Sequence, residues 1–371
     1  MNIRSQGNYN RLKTWLLRRT ALSAIRRIAP LSACLSSDIG LVRKENQDRV
    51  VISRAYGSDG NLRILMVLSD GMGGMTDGAI CSASTIAVVL ESFFDFCKHP
   101  SSSEEWLISA ANSANDEVYR QFTSSGGATL SALLLGPDGI HWLNVGDSRV
   151  YQYKENRLLQ ISVDDTIAGQ LRRKVDNDNF SDSKLLQFIG MGKNLEPHIA
   201  KIPFELGSSL LITSDGIHYL ESEIMERIIT NSSDISIAIR RLSDLARWFG
   251  GSDNASISII TLSPTLGVPD VVDHSLLEVW DSFGELQIFM DIQDSFKPND
   301  SDKFLSDVGR SGYSNSNQHT EVIVADSPKP KRRGGAKKTK AQKNRTIEVQ
   351  VENEDDKEKS QLHIEFPNKE V

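Results

Sequence analysis

Short apolar runs in this chain keep ending on an aspartate beside a glycine. Leu62–Leu68 runs into Ser69-Asp70-Gly71-Met72-Gly73-Gly74, Trp142–Val145 into Gly146-Asp147-Ser148, and Leu210–Thr213 into Ser214-Asp215-Gly216. Gly250-Gly251-Ser252-Asp253-Asn254 opens the run Ala255–Leu262, and Asp38-Ile39-Gly40 precedes Arg43, Asn46, Gln47 and Asp48. Runs of this length suit buried strands. Taken singly, each Asp-Gly pair is ordinary turn chemistry. Taken together, carboxylates at the ends of several strands of one sandwich can converge on a single cleft.

The remaining periodicity supports a layered fold. Further strand-like runs are Ala128–Leu135, Gly139–Asn144 and Arg149–Lys154. Helix-like stretches lie at Ala79–Lys98, Ser102–Thr123, Glu221–Asn231 and Ile235–Phe249, and Ser102 with Glu105 has capping-box spacing. The strands cluster in hairpin-like pairs rather than in strict βαβ alternation, which predicts an α+β domain over 36–262. At 39% hydrophobic and 25% charged, the 371 residues supply a sizeable core and exclude full-length disorder. A net charge of −7 argues against a whole-chain nucleic-acid binder. Cys34, Cys81 and Cys97 are too scattered for a disulfide framework or a zinc site, which fits a reducing, cytoplasmic setting. No apolar run is read as approaching the roughly 20 residues of a membrane helix.

The ends differ from the middle. Residues 1–35 read as a basic extension: Arg4, Arg11, Lys13, Arg18, Arg19, Arg26 and Arg27 come with no acid before residue 31. Leu12, Trp15, Leu16, Leu22 and Ile25 fall roughly at helical spacing, so the extension is either a frayed end or a basic amphipathic helix for docking. Residues 263–291 contain the island Val271–Asp291, where Ser275 and Glu278 have capping-box spacing; it reads as an accessory helix or a docking segment. Residues 292–371 alternate blocks of opposite charge and predict disorder. Within them the basic stretch Ser327–Arg345 is either a solvated linker or a tether for an anionic partner.

The acids themselves suggest a metal. Hard cations such as Mg²⁺ and Mn²⁺ take carboxylate, carbonyl and water oxygens. Glycine beside an aspartate lets the backbone approach such an ion. No Cys/His cluster, P-loop, kinase HRD signature or GxSxG elbow competes with that reading.

Several segments in order resemble the metal-dependent PPM-type serine/threonine protein phosphatases in their bacterial form. They are Ser37–Asp48 (SDIGLVRKENQD), Leu68–Gly74 (LSDGMGG), Asn144–Tyr153 (NVGDSRVYQY), Leu210–Ile224 (LLITSDGIHYLESEI) and Gly250–Ile260 (GGSDNASISII). The resemblance covers 36–262. It implies a β-sandwich of two antiparallel sheets flanked by helix pairs, with two Mg²⁺ or Mn²⁺ ions at one edge and a weaker third. It implies that Asp70 bridges the two metals, that Gly71 lends its carbonyl, and that Asp215 and Asp253 are the other principal ligands. Asp48 would hold metal-bound water, Asp147 the third ion, Arg43 the substrate phosphate, and Asn254 would orient Asp253. The implied reaction is hydrolysis of phosphoserine and phosphothreonine by attack of a metal-activated water, without a phospho-enzyme. The implied partners are a phosphoprotein substrate and a cognate serine/threonine kinase, with the chain itself a monomer. The competing function is a degenerate, non-catalytic binding module on the same scaffold.

The chain departs from the resembled pattern in places. Gln47 stands at the first acid of the NED signature, Met75 where some members carry a histidine, Gly78-Ala79 where Gly-Glu is expected, and Asp165 at the DHS-type histidine. Leu186–Gly190 replaces a TRALG-like segment, inside the stretch Thr166–His198 that corresponds to the flap. These changes bear on rate and substrate choice and leave the metal-binding acids intact.

Overall fold

The computed structural model describes residues 5–72, 77–167, 169, 185–264, 266 and 276–289, all within one unit spanning Met1–Asn299. Two antiparallel sheets form it. The first, of six strands, runs in the order β1 (Ser23–Ile28), β2 (Ala33–Asp38), β11 (Ala255–Thr261), β10 (Ser209–Thr213), β7 (Arg149–Lys154), β8 (Arg157–Gln160). The second, of seven, runs β13 (Glu285–Phe289), β12 (Leu276–Trp280), β3 (Arg49–Tyr56), β4 (Leu62–Ser69), β5 (Leu130–Gly136), β6 (Gly139–Val145), β9 (His198–Ile202).

Period-two alternation explains the layers. In β4, Ile64, Met66 and Leu68 face the space between the sheets, where they meet Val50, Ile52, Leu133, Leu210, Ile212 and Ile260. Leu65 and Val67 face the other way, onto α2 (Gly78–Lys98) and α3 (Ser103–Phe122). Leu211, Ile257 and Ile259 leave the six-stranded sheet toward α5 (Ser222–Thr230) and α6 (Ile235–Trp248). A short helix, α4 (Asp215–His218), follows β10 directly. The expected sandwich with helix pairs on both faces is therefore present, and Ser102 caps α3 by accepting from Glu105 N at 3.4 Å.

Three expectations are corrected. The folded unit does not begin at residue 36: α1 (Ser5–Leu16) buries Tyr9, Leu12 and Leu16 with α2, and β1 pairs with β2 along its whole length. The basic residues misled because Arg26 and Arg27 sit on an edge strand, where charges protect an unpaired edge. The island at 271–291 is not a helix in its described part. Leu276–Trp280 and Glu285–Phe289 form a hairpin that extends the seven-stranded sheet against β3. Glu278 is held as a strand residue by Arg54 opposite, and Leu277 and Val279 are fully buried. Finally, α2 is long and apolar enough to cross a membrane by length and composition, but it lies mostly buried against the seven-stranded sheet. The expectations for 292–371, including 327–345, fall outside the described residues, as do Met75 and Ser275.

Candidate active site

Strand register brings the acids to one edge. Arg49 pairs with Ser69, which sets Asp48 and Asp70 side by side at the same end of β3 and β4. Thr213 pairs with both Ile257 and Arg149, which sets Asp215, Asp253 and Asp147 at the corresponding end of the six-stranded sheet. The two sheets are stitched there by Ser214, whose Oγ donates to Asp48 Oδ2 at 2.8 Å and accepts from Ser256 N at 2.9 Å. Asp70 N donates to Thr129 Oγ1 at 2.9 Å, and that hydroxyl meets Ser148 Oγ at 2.7 Å. Gly71 lies in a bridge to Ala128, so tightly against Gly78 and Gln47 that a side chain there would strike the Gly78 backbone.

The electrostatics follow from the crowding. Burial first, then Asp48, Asp215, Asp147 and Asp253, push the Asp70 carboxyl well above its ordinary range. Burial and the neighbouring acids Asp215 and Asp253 raise Asp48 to about 7. Asp215 is likewise raised to about 7, by burial and then by Asp253 and Asp147. Asp147 rises to about 6, through burial and then Asp164. Asp48 Oδ1 and Asp215 Oδ1 are buried with no hydrogen-bond partner. Among the described residues no three His, Cys, Asp or Glu side chains stand together closely enough to hold a metal ion as they are placed, though the acids are near enough to act on one another's charge. Mutually repelling carboxylates with unpartnered buried oxygens are the environment a hard divalent cation relieves, and the all-oxygen donor set suits Mg²⁺ or Mn²⁺.

Arg43 stands at the rim, exposed, and its Nη2 donates to Asp253 Oδ2 at 2.6 Å. That bond raises its pKa, and Asp215 and Asp70 add to the effect. The guanidinium is thus already aimed at the acid cluster. Asn254 does more than follow Asp253. Its backbone N–H donates to Asp253 Oδ1 at 2.8 Å, while its side chain accepts from Gln47 N and donates to Ile39 O and Glu45 O. It therefore staples the loop between β2 and β3. Gly40, at φ 81° and pressed on the Asp253 backbone, turns that loop in a conformation that favours glycine.

Motif reading named Asn46, Gln47 and Asp165 without their partners, which the structure supplies. Asn46 Nδ2 donates to Ser37 Oγ at 2.8 Å, and Asn46 Oδ1 accepts from Asp48 N at 3.0 Å. Gln47 brings its carbonyl to Ser82 Oγ at 2.5 Å, and its side chain lies against Gly78. Asp165 is fully buried, and its Oδ2 accepts from Gly146 N, next to Asp147, at 3.0 Å. Its Oδ1 lies 2.8 Å from His198 Nε2. So a histidine does reach this corner of the site, from β9 rather than from the DHS position. Only the pairing across strands could have revealed it.

Comparison with known proteins places the chain by family and fold. Residues 43–249 match the family described as Protein phosphatase 2C. The chain is 26% identical over 238 residues to the serine/threonine phosphatase stp of Listeria monocytogenes, covering 60% of this chain and 93% of that protein. It is 25% identical over 247 residues to protein phosphatase PhpP of Streptococcus pneumoniae, covering 62% and 96%. Among solved structures, the PPM Ser-Thr phosphatase MsPP of Mycobacterium smegmatis, in complex with cacodylate, superposes with a TM-score of 0.55 at 28% identity, over 63% of this chain and 99% of that one.

Proposed function

The chain belongs to the protein phosphatase 2C family, and from that premise we propose the parts its own residues play in hydrolysing phosphoserine and phosphothreonine in proteins. It is a metal-dependent protein phosphatase. The observation that carries the residue assignment is the cluster in which Asp48, Asp215, Asp147 and Asp253 crowd the buried Asp70 carboxyl and push its pKa up, beside the guanidinium of Arg43.

Asp70, Asp215 and Asp253, with the carbonyl of Gly71, would hold two divalent cations, and Asp147 a third. Bound there, the cations supply Lewis-acid charge that acidifies water and neutralises a phosphate. The protein's own work is placement. Arg43 offers a planar fork to the phosphate oxygens, a geometry that lysine cannot reproduce. Asp48, held by Ser214, keeps one oxygen without a partner, placed to accept a hydrogen bond from water. The Asn254 staple keeps Arg43 and Asp48 on one rigid loop. No side-chain nucleophile is required, because phosphoryl transfer rewards positioning and charge neutralisation. A kinase acting on the same substrates, a monomeric state and a cytoplasmic setting complete the reading, with 327–345 as a tether for an anionic partner.

The deciding experiment measures hydrolysis of p-nitrophenyl phosphate and of a phosphothreonine peptide with Mn²⁺ and with EDTA. Mn²⁺-dependent turnover that vanishes in a folded Asp70→Asn protein is expected. A folded wild-type chain that turns over neither substrate would instead favour the binding-module reading.

A further inference from the structure

The loop that carries Arg43 and Asp48 is gripped from two sides. On one side is the Asn254 staple. On the other is Arg49, whose Nη1 donates to Asn46 O and Asp48 O, each at 2.7 Å, while its Nε donates to Leu16 O at 2.8 Å. Leu16 ends α1, where a helix leaves carbonyls without intrahelical partners and its dipole favours a cation. One rigid guanidinium therefore ties the end of α1 to both flanks of Gln47.

A second arginine extends the grip. Arg18 stacks over Trp15 with 4.1 Å to the ring centroid, and it donates to Trp15 O at 2.7 Å and to Asp281 Oδ1 at 2.8 Å. Asp281 opens the β12–β13 turn, and the same Oδ1 accepts from Phe283 N and Gly284 N. Where the α1 end, the turn and the loop meet they enclose a cavity of about 280 Å³, whose wall includes Arg18, Lys44, Asp48, Arg49 and Phe283. Leu16, Arg18 and Asp281 all lie outside the family match at 43–249.

We propose that Arg49 is a positioning residue for phosphate hydrolysis: through it, α1 and the β12–β13 turn set the pose of the loop bearing Arg43 and Asp48. The inference rests on the roles given to those two residues above. Its physical basis is that a guanidinium bonded to two carbonyls within the loop and one outside fixes the loop relative to α1. A small displacement of a phosphate clamp is costly, because catalysis depends on sub-ångström placement.

The test uses the full chain with Arg49→Gln, Arg49→Lys and Arg18→Ala. The readouts are kcat and KM on p-nitrophenyl phosphate at saturating Mn²⁺, inhibition by inorganic phosphate, and hydrogen exchange of the amides of 41–48. Arg49→Gln is expected to raise KM and the phosphate inhibition constant together by about tenfold. It should also speed exchange across the loop while β4 and β5 exchange as before. Arg49→Lys should recover part of both effects. Arg18→Ala, which leaves Arg49 in place, should produce the same pattern in smaller size and serves if Arg49→Gln does not fold. Loss of folded protein alone would lower apparent kcat and leave KM unchanged. Wild-type KM with wild-type loop exchange in Arg49→Gln overturns the proposal. So does a changed KM without faster loop exchange, because the effect would then bypass the loop. Should the wild-type chain prove inactive, the phosphatase reading fails separately, and loop exchange alone decides whether Arg49 sets the loop.

Discussion

Asp48 answers to two demands, since one oxygen is held by Ser214 and the other is buried without a partner. Burial beside other acids keeps Asp48 and Asp215 protonated up to about pH 7 and Asp147 up to about pH 6, whereas an unfolded aspartate releases its proton near about pH 4. Between those limits the folded state binds more protons than the unfolded one, so stability falls as pH rises through the window. Divalent cations compete for the same oxygens. In EDTA, the melting temperature is therefore expected to drop from about pH 5 to about pH 8, and Mn²⁺ should raise it more at the higher pH. A flat profile in EDTA, or an equal gain at both pH values, would mean that these acids do not form one cluster. Arg43 sits on Asp253 at the rim of that cluster, and the role proposed for it is to hold the substrate phosphate. Arg43→Ala should mainly raise KM and weaken phosphate inhibition, by roughly ten- to a hundred-fold for a charge-assisted contact. A fall in kcat alone, with phosphate affinity intact, would assign Arg43 a different task.

At the scale of elements, what the sequence revealed and what it hid follow a physical division. Strands such as β4, β5 and β10, apolar on both faces because helices cover one side and the other sheet the other, stand out as short apolar runs. So do the acids at their ends, since Asp-Gly is conspicuous. Edge strands were hidden. In β1, SAIRRI, only one of the six residues is buried, and in β13 none is, so neither carries a core signal. The helix reading of 271–291 failed for a related reason: Leu276 and Trp280 have helical spacing, yet pairing with β3 buries Leu277 and Val279 between them. The residues to which motif reading gave no role, Arg49 and His198 among them, act through hydrogen bonds across the chain, which spacing does not encode. Helix α1 gives the sharpest check on the corrected boundary. Leu12 is 1% exposed within the α2 cluster, so Leu12→Ala should cost about 2–5 kcal/mol, as a core truncation does. A frayed N-terminus would instead show no change in a urea melt.

At the scale of the whole molecule, the catalytic unit is wider than its motifs. The acids lie between Asp48 and Asp253, but α1 packs on α2 and also supplies the carbonyl that Arg49 grips, while β12 closes the edge of β3. Removing residues 1–22 or ending the chain at Leu262 would each strip one side of that arrangement. Ending at Leu262 exposes the β3 edge and uncovers the apolar surface that Leu277, Val279 and Trp280 bury. An edge left open in that way also invites pairing with other chains. A chain ending at Asp291 keeps both sides, since β13 closes at Phe289. The expected ranking in a thermal melt is therefore full length equal to the 1–291 form, with the 1–262 form lower and prone to aggregate. Mn²⁺-dependent turnover should follow the same order. Because loss of the hairpin also removes Asp281 from Arg18, the soluble fraction of the 1–262 form should show a raised KM as well as a lower melting temperature. Equal melting and equal KM for the 1–262 and 1–291 forms would show that the hairpin is a passenger on the sheet. An inactive 1–291 form would show that the catalytic unit needs the residues beyond it.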